Sequence, residues 1–208
     1  MEIYLVRHGQ TGGNEAQRHQ SEESHLTPLG ARQAKRAAQK IKELHPTQVL
    51  VSNRVRAIET AHAIAEATDV TPQVNAVFTE LCRPERIYGY HHNSVQSIWY
   101  VYQWYRGKVG EESCSDKGES YHHFFKRVKE AQRLLESQPA DSRIVVVSHS
   151  IFINFLVAHL HDEKPMSLIR ALLIFTKILR IRNGSVTRLQ YLATPDHRFK
   201  WKVVAYNE

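Results

Sequence analysis

Two histidines, two arginines and a glutamate fall directly after apolar runs that read as strands. Arg7-His8-Gly9 follows EIYLV at 2–6, Ser52 closes QVLVS at 48–52, and Arg56 lies on the helix that opens there. Glu80 follows the weaker strand 74–78, and Ser148-His149-Ser150 ends RIVVVS at 143–148. Each has an ordinary explanation alone: a hydrogen-bonded structural His, a surface Arg, a solvated loop acid. Gathered at one sheet edge, they form the set that phosphoryl transfer requires when the protein itself supplies the positive charge. A phosphate monoester carries about two negative charges near neutral pH, and its transfer is catalysed mainly by positioning and charge stabilisation. The planar guanidinium fork of Arg matches two phosphate oxygens and keeps its proton. At ~4 Å and an effective dielectric of about 20, each cation–anion pair is worth ~4 kcal/mol before desolvation. Arg7, Arg56 and a protonated His149 thus read as a cationic cradle, with peptide N–H groups at the helix start near Ser150 as further donors. A neutral His8, fixed in one tautomer, reads as the nucleophile. Glu80 reads as proton donor to the leaving alkoxide.

These residues need a scaffold that brings strand ends together, and the chain's pattern predicts one. Residues 29–44 are rich in Ala, Lys and Gln and read as a helix. His45-Pro46 ends it, because the residue before Pro avoids helical geometry. A second helix is expected over 54–67 and a long one over about 118–137. The β-branched run 143–148 is what a central strand covered on both faces requires. Residues 151–160 are apolar nearly all round and read as a buried helix. Asn183-Gly184 between two late strands signals a hairpin. Strand–helix alternation predicts an α/β fold: a three-layer αβα sandwich with a mostly parallel central sheet and an antiparallel edge strand or hairpin. In such sheets sites form beyond the carboxyl ends of strands. The organisation expected is one domain over 1–208, with an insertion at about 81–117 forming the rim of the site. Aromatics cluster there (Tyr88, Tyr90, Trp99, Tyr100, Tyr102, Trp104, Tyr105), mostly as packing, and Arg83, Arg86 and Lys108 would choose the rest of the substrate.

Composition narrows the class. The 208 residues suffice for a large domain core. No apolar run approaches the ~20 residues that cross a bilayer, and MEIYLVRHG lacks the pattern of a secretion signal. The two cysteines, Cys82 and Cys114, make no disulfide framework, so a cytoplasmic location is expected, with one bridge between them left open. Lys plus Arg exceed Asp plus Glu by 28 − 21 = 7. Residues 164–208 hold nine basic and two acidic side chains, an excess read as a solvated edge rather than a nucleic-acid surface, since no basic run or nucleic-acid motif accompanies it. Among the 13 histidines, His91-His92 and His122-His123 are adjacent pairs, which do not converge on one ion. His159 and His161 point to different helix faces. No metal and no cofactor are expected.

The motifs resemble those of the histidine phosphatase superfamily, which includes phosphoglycerate mutases and many phosphatases. RHGQT at 7–11 with Asn14 resembles its opening signature, and LTPLGARQA at 26–34 its LTxxGxxQA element. SNRVRAIETA at 52–61 resembles the SxxxRAxxTA element and places the family arginine at Arg56 rather than Arg54. GES at 118–120 and VSHS at 147–150 resemble two later elements, so the similarity runs from residue 3 to about 157. It departs at Ser150, where many members have Gly, and at Asn53, where many have Pro. The resemblance implies that His8 takes the phosphoryl group, that Arg7, Arg56, His149 and Asn14 bind its oxygens beside Ser150, and that Glu80 is the acid, with Glu85 as fallback.

The reading is a metal-independent phosphatase acting on a small phosphorylated metabolite, with no nucleic acid or membrane as partner. An exposed sheet edge leaves room for a homodimer. Three rivals use the same residues. A mutase would return the phosphoryl group to a second hydroxyl, but mutases of this kind tend to be longer. A phosphohistidine-protein phosphatase would have less need of Glu80. A non-enzymatic phosphate-binding module could discard His8 or Glu80, and both are present.

Overall fold

The computed structural model describes residues 1–113, 115–161, 166–176, 181–193 and 199–208. A six-stranded sheet has the order β3-β2-β4-β1-β5-β6. Its strands are β1 (Glu2–Arg7), β2 (Gln48–Val51), β3 (Pro72–Val74), β4 (Arg143–Ser148), β5 (Val186–Ala193) and β6 (Phe199–Ala205). The first four run parallel, and β5 and β6 add the antiparallel edge. The helices are α1 (Gly12–Glu15), α2 (Pro28–Lys42), α3 (Val55–Thr68), α4 (Val95–Tyr105), α5 (Tyr121–Glu136), α6 (Ser150–His161) and α7 (Leu168–Phe175). Among the described residues no helix is long and apolar enough to cross a membrane.

Strand alternation divides the core into two layers. Ile3, Leu5, Leu50, Ile144 and Val146 face α4–α7, where Trp104 is fully buried among Tyr121, Phe124, Phe155 and Phe175. Tyr4, Val6, Val49, Val51, Val145 and Val147 face α2 and α3, which pack through Ala37, Ala38, Ile41, Ala57, Ala61 and Ile64. The small alanines let both helices lie close to the β-branched surface. The aromatics of the 81–117 segment divide as α4 requires, with Tyr100 and Trp104 buried and Trp99 exposed.

Register aligns the strand ends that carry the candidate chemistry. Arg7 pairs with Ser148 and Val51 with Val147, so His8, Ser52 and His149 emerge at one edge. β1 and β4 are neighbours, yet the chain after β1 runs to α2 on one face and the chain after β4 to α6 on the other. The backbone parts there and leaves a crevice at the carboxyl ends.

One expectation differs and one falls partly outside the described residues. The strand predicted at 74–78 is β3 at Pro72–Val74 followed by a 3₁₀ turn at Ala76–Phe78, capped by the Asn75 side chain accepting from the Val77 N–H at 3.0 Å. Glu80 therefore leaves a turn, not a strand. Asn183-Gly184 forms a turn just before β5, with Gly184 at φ 73°; the strand expected on its other side falls mostly on 177–180, outside the described residues. The turn bonds to the end of β1: the Gly184 N–H donates to Arg7 O at 3.0 Å and the Arg7 N–H to Ser185 O at 3.1 Å. The link between β5 and β6, at 194–198, lies outside the described residues, as does Cys114. Cys82 is disulfide-bonded.

Candidate functional site

The loop after β1 is held in place by the residues of the sequence motifs. Thr11 caps α1, and its side chain and that of Asn14 bond reciprocally to each other's backbone N–H, both at 3.3 Å. Thr27 caps α2 by accepting from the Gly30 N–H at 3.1 Å, with Pro28 in the first turn where its missing N–H costs nothing. The Thr27 N–H donates to Gln10 O at 2.9 Å, and Gln33 Oε1 accepts from the Gln10 N–H at 2.8 Å. A Cβ on Gly9 would overlap the Gly30 carbonyl, and one on Gly30 would overlap Gln10 O. Only glycine permits this approach of loop to helix. Thr60 adds a tie from α3, accepting from the Gly9 N–H at 3.1 Å.

His8 emerges from this frame buried, with its Nδ1 2.7 Å from Gly9 O. A carbonyl only accepts, so Nδ1 carries the proton. Neutral imidazole then keeps its lone pair on Nε2. The His149 ring lies 5.0 Å away, centroid to centroid, tilted by 58°. Its Nε2 is 2.7 Å from Ser52 Oγ, and its Nδ1 is buried with no hydrogen-bond partner. Arg7, buried, donates from Nη1 to Ile181 O. Arg56, also buried, donates from Nη1 to the carbonyls of Ser21 and Glu22, both at 3.2 Å, and its Nε has no partner. Burial lowers the Arg56 pKa to about 10, against a smaller opposing pull from Glu80, so it remains a cation at neutral pH. Arg54 is a different case: it pairs with Glu22, reaches Cys82 Sγ at 3.1 Å and stays outside this pocket.

Arg7, His8, Asn14, Arg56, Glu80 and Ser150 line one pocket of about 520 Å³, open solvent included, with His149 buried behind His8. Glu85 is exposed in a 3₁₀ turn away from the pocket, so Glu80 is the carboxylate in place. One detail of the expected cradle is corrected. Two helix-start amides are taken by the acid and not left for phosphate: the Ile151 and Phe152 N–H groups donate to the Glu80 carboxylate at 3.2 and 3.0 Å. A carboxylate satisfies the positive end of α6 as well as a phosphate would. His149 by itself is a neutral imidazole at neutral pH. Burial, then Arg56, His8, Arg54 and Arg7, hold its pKa well below the usual 6.5.

That depressed pKa has a measurable consequence. A bound dianion reverses the local field and favours imidazolium, so the bound-state pKa of His149 lies above the free-state one. Between the two, anion binding takes up a proton, and affinity rises as pH falls, by at most tenfold or about 1.4 kcal/mol per pH unit. Below the free-state pKa the gain stops. Sulfate keeps its charge through this range, so calorimetry in buffers of different ionisation heat should register proton uptake in the wild type and a loss of it in His149→Gln. A pH-independent sulfate affinity with no uptake would refute the coupling.

Several lining residues escape the strand-end reasoning. Arg18, His19 and Gln20 come from the loop after α1, His92 from the 81–117 segment, and Ile174 and Phe175 from α7. Loop and insertion are stitched together: the His19 N–H donates to Tyr90 O at 3.0 Å and the His92 N–H to Gln17 O at 3.0 Å, and the two rings meet edge to face at 4.4 Å. Of the predicted rim cations only Arg83 faces the site; Arg86 and Lys108 line a separate shallow recess with Glu111 and Asp116. His122 is exposed, and the His123 Nδ1 lies 2.7 Å from Glu119. Asn183 is a further omission: its Nδ2 donates to His8 O at 3.0 Å and to Asn14 Oδ1 at 2.9 Å, which leaves the Asn14 amide NH₂ as the part free to face the pocket. Among the described residues no group of three or more His, Cys, Asp or Glu side chains is placed to hold a metal ion.

The model of the histidine phosphatase superfamily (branch 1) matches residues 3–207. A protein of Erwinia tasmaniensis named "Probable phosphoglycerate mutase GpmB" is 28% identical over 207 residues, covering 98% of this chain and 91% of its own. Among solved structures, a mycobacterial glucosyl-3-phosphoglycerate phosphatase with VO3 superposes with a TM-score of 0.74 at 24% identity, over 99% of this chain and 98% of its own. A phosphoserine phosphatase variant of Entamoeba histolytica with phosphoserine has a TM-score of 0.74 at 22% identity, over 100% of this chain and 96% of its own.

Proposed function

We propose that this chain, which belongs to the histidine phosphatase superfamily, hydrolyses small phosphomonoesters through a phosphohistidine on His8. The observation that supports the reading is the His8 Nδ1–Gly9 O contact of 2.7 Å, which sets the tautomer with the proton on Nδ1 and the lone pair on Nε2, in a pocket lined by Arg7 and Arg56. In the first step Nε2 attacks phosphorus, the P–N bond forms and the P–O bond to the alcohol breaks. The two guanidinium groups, the Asn14 amide and His149, protonated when the dianion binds, hold the equatorial oxygens. The departing alkoxide takes a proton from Glu80. In the second step Glu80, now carboxylate, removes a proton from water, water oxygen attacks phosphorus, and the P–N bond breaks to release inorganic phosphate. The arginines supply the charge stabilisation that a metal ion supplies elsewhere.

Phosphate release from a chromogenic ester, unchanged by chelator, tests the overall reading; no release from any phosphomonoester would overturn it. The acid is tested by leaving group. Glu80→Gln should slow alkyl phosphates by roughly a hundredfold or more, in line with general acid catalysis, and nitrophenyl phosphate far less. Equal slowing of both would remove Glu80 from that role. The name carried by the Erwinia relative favours a second reading, mutase-type transfer to another hydroxyl of the substrate. It differs in product: an isomeric phosphoester accumulates instead of inorganic phosphate.

A further inference from the structure

The phosphate cradle uses only some of the residues that line the pocket. Arg83, His19, His92, Ile174 and Phe175 also line it, and Arg83 differs from every other buried or half-buried arginine around the site. Arg7 donates to Ile181 O, Arg56 to the carbonyls of Ser21 and Glu22, Arg54 pairs with Glu22, and Arg127 pairs with Glu119. Arg83 has no hydrogen-bond acceptor and no carboxylate among the described residues. Its Nε is buried without a partner, and its guanidinium carbon stands 5.8 Å from the centre of the Phe175 ring. A desolvated donor left unmet is costly, and a guanidinium more so than a neutral group. A cation held against a ring face uses none of its hydrogen-bond donors there.

Charge balance points the same way. Four arginines (Arg7, Arg18, Arg56, Arg83) and one glutamate (Glu80) line the pocket, a formal +4 − 1 = +3. With His149 protonated as the dianion binds, the balance is +3 + 1 − 2 = +2. Arg18 is exposed and already donates to Gly89 O at 2.5 Å, so the unmatched cation is Arg83.

We infer that the substrate is a phosphomonoester bearing a second anionic group, a carboxylate or a second phosphate, and that Arg83 binds it while Ile174 and Phe175 cover the carbon chain between the two anions. The inference rests on the phosphatase reading for which end reacts, but recognition is separable from turnover.

The test uses matched pairs that differ at the second group: 3-phosphoglycerate against glycerol 3-phosphate for a carboxylate, fructose 1,6-bisphosphate against fructose 6-phosphate for a phosphate. In the full chain at least one pair should show a tenfold or greater preference in kcat/KM for the doubly anionic member. Arg83→Gln should erase that preference mainly through KM, and Arg83→Lys should restore part of it. Dissociation constants for the same pairs, measured in His8→Ala and in His8→Ala with Arg83→Gln, read the same preference without chemistry. Absence of turnover with the binding preference intact would sink the phosphatase reading and leave this one standing. The inference is overturned by equal handling of both members of both pairs, or by a preference that survives Arg83→Gln. The pair that responds tells carboxylate from phosphate.

Discussion

His8→Ala is expected to abolish turnover of every phosphomonoester while the protein still folds and still binds inorganic phosphate. The substitution removes the Nε2 lone pair but leaves Arg7 and Arg56, whose positions depend on Ile181, Ser21 and Glu22 and not on the imidazole. Water would then have to attack the phosphorus of a dianion directly. A fall of at least roughly a thousandfold in kcat follows, equivalent to about 4 kcal/mol on the barrier. The covalent intermediate gives an independent readout. Wild type quenched in alkali after exposure to a phosphate-labelled ester should retain label, and should lose it on acidification, since protonating the phosphorylated imidazole makes it a good leaving group. His8→Ala should retain none. Inorganic phosphate should raise the thermal midpoint of both proteins, because it binds the folded cradle and not the unfolded chain. Turnover by His8→Ala within tenfold of wild type would place the nucleophile elsewhere.

What could be read in the sequence and what could not divides along a physical line. β1, β2, β4 and α6 are legible because their apolar runs are long relative to their length and their burial on both faces leaves no polar alternation to mislead. The strand-end residues inherit that legibility: once β1 and β4 are placed side by side, Arg7, His8 and His149 have little freedom in where they go. Asn183-Gly184 is legible only in part. Its local chemistry demands a turn and gets one, but which elements a turn connects is decided by the pairing of its flanks, here the backbone of Arg7. The state of His149 could not be read from residue type at all, since it depends on full burial and on Arg7 from the end of β1 with Arg54 and Arg56 from the start of α3. The same holds for the rest of the pocket lining. His19 and His92 are far apart in the chain and meet only because the loop after α1 pairs with the insertion. Glu80 was legible as an acid near the site, but not its seat on the first turn of α6, because that contact joins a 3₁₀ turn to a helix across the sheet edge.

The element that holds Glu80 there yields the largest expected effect on stability. Glu119 is fully buried, and its carboxylate receives Arg127 Nε at 3.0 Å and Nη2 at 2.7 Å, with His123 Nδ1 2.7 Å from the same Oε1 as the Arg127 Nε. Arg127 uses its remaining donors on the chain leading to the acid: Nη1 to Val77 O at 3.0 Å and Thr79 O at 2.5 Å, Nη2 to Glu80 O at 3.4 Å. Its guanidinium also stands 5.1 Å from the Phe124 ring centre, so it is sealed between α5 and the core. Glu119→Ala strands this cation without a counter-charge and opens a void, and breaking one partner of a buried pair costs about 3–5 kcal/mol. Denaturant unfolding should show that loss as a lower midpoint at nearly constant slope. The surviving folded enzyme should lose activity on alkyl phosphates more than on nitrophenyl phosphate, because the 77–80 segment that aims Glu80 has lost its anchor. Replacing both members, Glu119→Gln with Arg127→Met, removes the stranded charge and should be less destabilising than Glu119→Ala alone. A cost below about 1 kcal/mol for Glu119→Ala would put the pair in the class of solvent-screened surface bridges, and the anchoring of Glu80 would have to come from α6 alone.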